Sequence, residues 1–531
     1  MKRREFLGKS MAVTFPALIS GYAVKALDAN SPLVQALMGG GTDTDHVLVI
    51  IQLSGGNDGL NMVIPVSTYN LYYAARTNIA IPQNRILGLN GYSDTGLHPS
   101  MTGLQSLYND TKLKIIQAVG YPQPNFSHFR ATDIWMTGSN SNQEVYTGWA
   151  GRYLNYEYPN FPTGYPNPDM TDPLAIQIGS VASLTTQGPS VNMAMSITSA
   201  TNFYQLINGT NDPVPATKAG KELTFIRTVA KQTQQYAGSI TAAAARVTVQ
   251  SNYPANNSLA DQLKIVSRLI KGGLKTRVYM VSFGGFDNHS LQTTATDTTV
   301  GTHATLLGRV SDAIKAFQDD LVYLGTEDRV VGMTFSEFGR RIKSNSSIGT
   351  DHGAAAPVFV FGKPVQGGVL GNNPTIPASV NVNDNIPMQY DFRSIYSTLL
   401  EKWFCLPKTT VEGLFPPNIN GQLQDLPLIK NGVCVTAPPP PSTSGNTLIT
   451  NYPNPFTNKT TIEFSTSGGH TLIQIIDTAG RLIVDLLEKD YPAAATGITI
   501  PFDASHLPTG VYYARFQNGS VQQVRPMLKV R

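Results

Sequence analysis

VYMVSFGGFDNHS, residues 278–290, reads as a strand that ends in chemistry. The β-branched and aromatic run Val278 to Phe283 predicts a buried strand, and Gly284 and Gly285 stop it. Asp287 and His289 follow at once, two residues apart. Residues i and i+2 of extended backbone point to the same side, so a carboxylate and an imidazole are presented together. They lie just past the carboxyl end of the strand, where open α/β sheets carry their ligand sites. Asp with His is also a common donor pair for a divalent transition metal.

Four further runs have the same character: HVLVIIQL (46–53), LKIIQAV (113–119), RVVGMTF (329–335) and APVFVFG (356–362). The first is apolar without interruption, as in a parallel strand buried on both faces. Between the runs lie helical patterns. Leu306, Val310, Ile314, Phe317 and Leu321 step by three and four, which predicts an amphipathic helix before the strand at 329. Residues 219–250 and 258–273 also read as helical. Strands alternating with helices predict an α/β fold, a layered sheet with helices on both faces. Residues 139–218, rich in Asn, Pro, Gly, Tyr and Thr, predict long loops or a small cap.

The chain has 531 residues, room for one large catalytic domain and a smaller one. Hydrophobic residues make up 41% and charged residues only 14%, with a net charge of +4. No long Lys/Arg run follows the N-terminus, which argues against a nucleic-acid partner. Cys405 and Cys434 form either one disulfide or two unpaired thiols, and with no His cluster beside them they do not suggest a zinc site.

The two ends differ in kind from the middle. Arg3-Arg4-Glu5-Phe6-Leu7-Gly8-Lys9 resembles the twin-arginine export motif. The apolar stretch after it, Met11 to about Leu27, is broken by Pro16 and Gly21 and is too short for a stable membrane span. Residues 1–29 are therefore expected to be a signal peptide, cut after Ala26 or Ala29, with the α/β domain over 30–436. The alternative is a cytosolic protein with a basic, fortuitously apolar start. APPPPSTSGN, 437–446, reads as a linker that passes from stiff to flexible. Beyond it TTIEFS, TLIQIID, RLIVDLL, GITIPFD and GVYYARF alternate with turn signals, which predicts a small all-β sandwich over 447–531. Asn451-Tyr452-Pro453-Asn454-Pro455-Phe456, Ile476-Asp477-Thr478-Ala479-Gly480-Arg481, Leu507-Pro508-Thr509-Gly510-Val511-Tyr512 and the basic end Met527 to Arg531 resemble the C-terminal sorting domain of the type nine secretion system. The two resemblances imply the twin-arginine translocase and the type nine secretion machinery as partners. They also imply an exported protein, secreted or at the cell surface. A carbohydrate-binding or adhesive sandwich is the alternative for the tail, and it lacks an aromatic binding strip.

Chemistry gathers after the apolar runs. SGGNDG with Asp58 follows the first, and a loop with Ser127, His128 and Arg130 follows the second. Asp287 and His289 follow the third, and Ser336-Glu337-Phe338-Gly339-Arg340-Arg341 follows the fourth. Asp351-His352-Gly353 precedes the run at 356. Parallel strands would bring all five sets to one sheet edge. The acids would supply charge and His289 and His352 neutral nitrogen for one or two divalent ions, which polarise a phosphoryl or sulfuryl oxygen. Zinc fits that donor set first, with calcium, magnesium or manganese as alternatives. Ser127, at a helix start, is either the nucleophile or a plain N-cap. Arg130 or Arg340 would hold an anionic substrate oxygen, and His128 is a substrate-binding candidate or a further ligand. A carboxylate buried like Glu337 needs a partner: metal, or Arg340 or Arg341 in a structural ion pair. His303 reads as an outer residue of the site.

The order of these motifs is similar to the alkaline phosphatase and sulfatase superfamily. GGNDGLN, FSHFRATDIW, GGFDNH, SEFGRR and TDHG look more closely like a twin-arginine-exported bacterial branch of it, a domain of unknown function, over roughly residues 46–405. The resemblance implies an alkaline-phosphatase-like fold, Asp58 as first metal ligand and Ser127 as nucleophile. It assigns Asp287 and His289 to one metal and Glu337, Asp351 and His352 to another or a shared site. The Asp-x-His spacing departs from the superfamily's Asp-x-x-x-His, and the signature that supports a formylglycine sulfatase is missing after Ser127. The expected function is an exported metal-dependent hydrolase of an anionic phosphate or sulfate ester. A non-catalytic surface or envelope-assembly protein and a phospho-group transferase are the alternatives.

Overall fold

The computed structural model describes residues 44–159, 161–199, 236–416, 423–434, 450–454, 456–477, 481–519 and 521–530, with short pieces at 18–19 and 22–23. The twin-arginine motif and the linker at 437–446 lie outside them. The chain divides into two compact units, Thr42–Val435 and a second formed by Met1–Gly41 with Thr436–Arg531. No helix among the described residues is long and apolar enough to cross a membrane.

In chain order the strands of the larger unit used below are β1 (Val47–Ser54), β2 (Leu113–Gly120), β3 (Ala175–Ile178), β4 (Ala194–Ile197), β5 (Val278–Gly284), β6 (Val330–Phe335), β7 (Arg340–Ser344), β8 (Thr350–His352), β9 (Ala356–Phe361), β10 (Gly368–Leu370) and β11 (Tyr390–Asp391). All but β7 and β8 form one nine-stranded sheet of order β10-β2-β9-β6-β1-β5-β3-β4, with β11 paired to β2. The helices are α1 (Gly59–Met62), α2 (Tyr69–Ala75), α3 (Thr102–Asn109), α4 (His128–Thr137), α5 (Trp149–Glu157), α6 (Ser258–Lys271), α7 (Thr302–Tyr323) and α8 (Phe392–Lys402).

Strand β1 shows why the sheet carries helices on both faces. Its successive side chains point to opposite sides. Val47, Val49, Ile51 and Leu53 enter one core with Leu104 of α3, Leu263 of α6 and Val310 of α7. Leu48 and Ile50 enter another with Ile134 of α4, Tyr153 of α5 and Ile395 of α8. A strand covered on both sides has no polar face, hence the apolar run Val47–Ile51 and Leu53, with Gln52 buried between them.

The sheet is mixed, and one strand decides where the chemistry goes. β1 runs parallel to β5 and β6, with Ser54 opposite Gly284 and Gln52 opposite Phe335, so three carboxyl ends stand side by side. The fifth expected strand, β9, is antiparallel to both of its neighbours, β6 and β2, which corrects the all-parallel expectation. After β6 the chain stays at the carboxyl edge and forms the small β7–β8 ribbon, in which Arg340 pairs with His352. It can then only run back along the sheet. Asp351 and His352 thus reach the same edge as the other sets because β9 starts there. A parallel strand would have put them at the opposite edge.

Within the stretch expected to be loops or a small cap, the described residues 139–159 and 161–199 are less irregular than expected. They contain α5 and the parallel pair β3–β4, whose four-residue strands are too short to give a periodic signal. Of the helical stretch expected at 219–250, residues 236–250 are described: 236–245 are helical, and the chain leaves the helix over 246–250.

The C-terminal unit has two antiparallel sheets, one of three strands and one of four. Phe464, Ile473, Phe502, Tyr512, Phe516 and Met527 from both sheets fill one apolar core, as in a sandwich.

Candidate metal centre

Three side chains, His128, Asp287 and His352, each bring a ligand atom within 4.8 Å of the others. A fourth joins them: His289 Nε2 lies 2.9 Å from His352 Nε2 and 3.1 Å from Asp287 Oδ1. His352 Nε2 is 3.3 Å from the same oxygen, and His128 Nε2 is 3.5 Å from Asp287 Oδ2.

The far nitrogen of every ring is already engaged. His352 Nδ1 lies 2.8 Å from the Phe126 carbonyl oxygen, which can only accept, so this nitrogen carries the proton. His128 Nδ1 faces Glu337 Oε1 at 2.8 Å, and His289 Nδ1 faces Asp351 Oδ1 at 3.2 Å. Protons donated on Nδ1 leave lone pairs on all three Nε2 atoms. Two such lone pairs 2.9 Å apart repel unless a cation or shared proton relieves them. His128 Nε2 is moreover buried without a hydrogen-bond partner. Converging imidazole nitrogens beside a carboxylate, each held from behind by an acceptor, are a donor set that fits a divalent ion.

Tight local turns set this geometry. His289 N–H bonds to the Asp287 carbonyl at 3.1 Å, and Asn288 N–H bonds to that of Phe286 at 2.8 Å. Asp287 and His289 thus face one point through successive turns, not through extended backbone. Gly55, at φ +122°, passes so close that an added Cβ would lie 2.4 Å from Asp287 N. Ser336 Oγ donates to the Leu53 carbonyl and accepts from Asn57 N–H, which stitches the ends of β1 and β6 together.

Several expected roles change. Glu337 is not gathered as a ligand: it is 1% exposed, and its Oε1 already accepts from Gly55 N–H at 2.9 Å and receives His128. His128, open in the sequence between a substrate-binding role and a further ligand, stands in the candidate ligand group. Arg340 is fully buried and donates to the carbonyls of Gly55, Gly56, Phe286 and Thr350 and to Asp287 Oδ1, so the structure places it as a support inside the fold. Arg130 turns away and donates to the carbonyls of Asn140, Ser141 and Gln143. Asp351 supports His289 and accepts from Asn345 Nδ2 at 3.1 Å. Asp58 is buried apart from the cluster, with both oxygens on Arg76 Nη1 at 2.9 and 2.7 Å. Ser127 caps α4 in backbone conformation, but its exposed side chain makes no capping bond.

The charges follow from these partners. Burial works to raise the Asp287 carboxyl, but the hydrogen bond and charge of Arg340, aided by His352 and His289, hold it below its usual range. Burial likewise opposes Asp351, and the hydrogen bonds from Asn345 and His289 outweigh it. Burial pushes the His352 imidazole below its ordinary value against the pull of the Phe126 carbonyl, and Arg340 adds to the lowering. Neutral imidazole and ionised carboxylate are the forms that bind a metal. His303 sits behind the site, 2.9 Å from Asn57 Oδ1, and burial pushes it down to about 4.

Two supporting residues carried no chemical signal in the sequence. The Phe338 ring packs on both His128 and His352, with centroids 4.8 and 4.5 Å away. Asn345 Nδ2 ties the His289 carbonyl to Asp351, and its only mark is a place in the Ser/Asn turn after β7.

Residues 46–414 match the family described as protein of unknown function (DUF1501), and residues 450–529 match the secretion system C-terminal sorting domain. No curated protein matches the chain. Among solved structures, a member of the alkaline phosphatase superfamily from Vibrio parahaemolyticus is 10% identical at a TM-score of 0.34, over 93% of this chain and 84% of that one. The PsFucS1 sulfatase from Pseudoalteromonas sp. is 10% identical at 0.30, over 90% and 86%. The alkaline phosphatase of the Antarctic bacterium TAB5 is 9% identical at 0.24, over 61% and 93%. Likeness at this level carries no residue role or reaction across.

Proposed function

The chain belongs to the DUF1501 family, and we propose that this member is an exported metal-dependent hydrolase of phosphate or sulfate esters. The observation that carries the proposal is the convergence of the His128, His289 and His352 Nε2 atoms on Asp287, with each Nδ1 engaged from behind. A divalent cation held there would polarise an ester oxygen and lower the pKa of a hydroxyl set against it. Ser127 is the nucleophile in this reading. Its hydroxyl is uncommitted at the N-terminus of α4, where the helix favours a developing anion, and the neighbouring Phe126 carbonyl is bound by His352. Asp287, fixed by Arg340, provides the ionised carboxylate of the set. The sorting domain indicates secretion or the cell surface and implies the type nine machinery as partner. Twin-arginine export is the proposed first step.

The test uses the full chain. Bound metal is measured by mass spectrometry, and aryl phosphate and aryl sulfate hydrolysis is followed for wild type, Ser127→Ala and His352→Ala. The expected result is bound metal and turnover in wild type, metal without turnover in Ser127→Ala, and neither in His352→Ala. Wild-type protein that stays metal-free and inert after reconstitution rejects the function. Unchanged turnover in Ser127→Ala rejects the serine but keeps the metal centre.

A further inference from the structure

Asp58 stands just past the end of β1, at the edge where the cluster lies, so its carboxylate would be the natural contribution of that strand to a second ion. It is committed elsewhere. Arg76, at the C-terminal end of α2, is fully buried, and its Nη1 reaches both Asp58 oxygens and Asn61 Oδ1. Its Nε and Nη2 donate to the carbonyls of Ile342 and Arg341 on β7. The guanidinium is thus clamped on every side, a permanent positive charge in a fixed place.

Asp58 is also tied to the cluster through a chain of hydrogen bonds. Gln292 Nε2 donates to Asp58 Oδ2 at 2.6 Å, and Thr350 Oγ1 donates to Gln292 Oε1 at 2.9 Å. Arg340 Nη1 donates to the Thr350 carbonyl at 2.8 Å, and Arg340 Nη2 to Asp287 Oδ1 at 2.8 Å. Two buried guanidinium groups therefore flank the carboxylates of this edge. A cation brought to Asp58 would meet Arg76 head on and would strip it of its only charged partner, leaving a buried charge on neutral acceptors alone.

We infer that the centre takes a single divalent cation and that the guanidinium of Arg76 occupies the carboxylate that a second cation would need. The inference rests on the metal centre proposed above. Asp58 is then a positioning residue, which acts through Gln292, Thr350 and Arg340 on Asp287.

Titration of the metal-stripped full chain with cobalt(II), read by its visible d–d absorption, tests this, with mass spectrometry of the zinc-loaded protein beside it. The expected endpoint is about one equivalent per chain by both methods. A second equivalent that resists dialysis overturns the inference and leaves the hydrolase standing, whereas absence of any bound ion rejects the metal centre itself. Asp58→Asn, checked for folding by circular dichroism, is expected to bind the single cobalt more weakly with an unchanged d–d spectrum, and a changed spectrum in folded protein makes Asp58 a ligand and overturns the inference. If that variant does not fold, the wild-type endpoint still decides.

Discussion

Glu337 and His128 are 209 residues apart in the chain and 2.8 Å apart in the fold. A carboxylate in that position fixes the tautomer and the angle of the ring without touching what the ring binds. Glu337→Gln is expected to weaken metal affinity by about 10–100-fold while the ligands stay in place, as measured by competition with a chromophoric chelator. The acids and histidines of the site were legible because each stands beside an apolar run. Their division into ligands and supports was not, since it depends on which ring nitrogen meets which distant acceptor. Asp58 makes the same point: Asn-Asp-Gly after a strand looks like a ligand, and Arg76, which takes it, lies 18 residues on in a stretch with no motif.

At the level of elements, the direction of β9 could not be read from APVFVFG, which looks alike either way. It follows from the length of the ribbon before it. The approach of the β1 turn to the β5 turn is more exacting. Gly55→Ala would force a side chain into φ +122° and place its Cβ 2.4 Å from Asp287 N. Positive φ and overpacking each cost about 1–3 kcal/mol, so a loss of about 2–6 kcal/mol is expected in urea unfolding. The long helix α7 was plain in the sequence because its apolar stripe runs for several turns. Strands β3 and β4 were not, because four residues between prolines and glycines carry no period.

For the whole molecule, two buried carboxyls bend stability with pH in opposite directions. Burial works to raise Asp58, but Arg76 outweighs it and holds the group below its ordinary value of 3.8, so its contribution is full above that pH and is lost as acid titrates the pair. Glu157, at the end of α5, is pushed by burial from 4.5 up to about 7 against the pull of Arg277, and its Oε1 has no hydrogen-bond partner. The stability that goes with its protonated form is full below 4.5 and is lost as pH rises through about 7. Glu157→Gln is therefore expected to shrink the fall in stability between pH 5 and pH 8, as measured by denaturant midpoints. The two cysteines, left open between thiols and a bridge in the sequence, are joined, with Cα atoms 5.5 Å apart and a sequence separation of 29. Replacing both with Ser is expected to cost about 2–4 kcal/mol, read from thermal unfolding against the oxidised wild type. Between them Leu426, Leu428 and Ile429 press into the core beneath α8. Cys434 is the penultimate residue of the larger unit, and Thr436 opens the other. Any pull on the C-terminal unit during passage through the envelope thus arrives first at a sulfur bridge, which passes it to Cys405. Tension is then borne by a covalent shortcut instead of unzipping the hydrophobic seam of the larger unit.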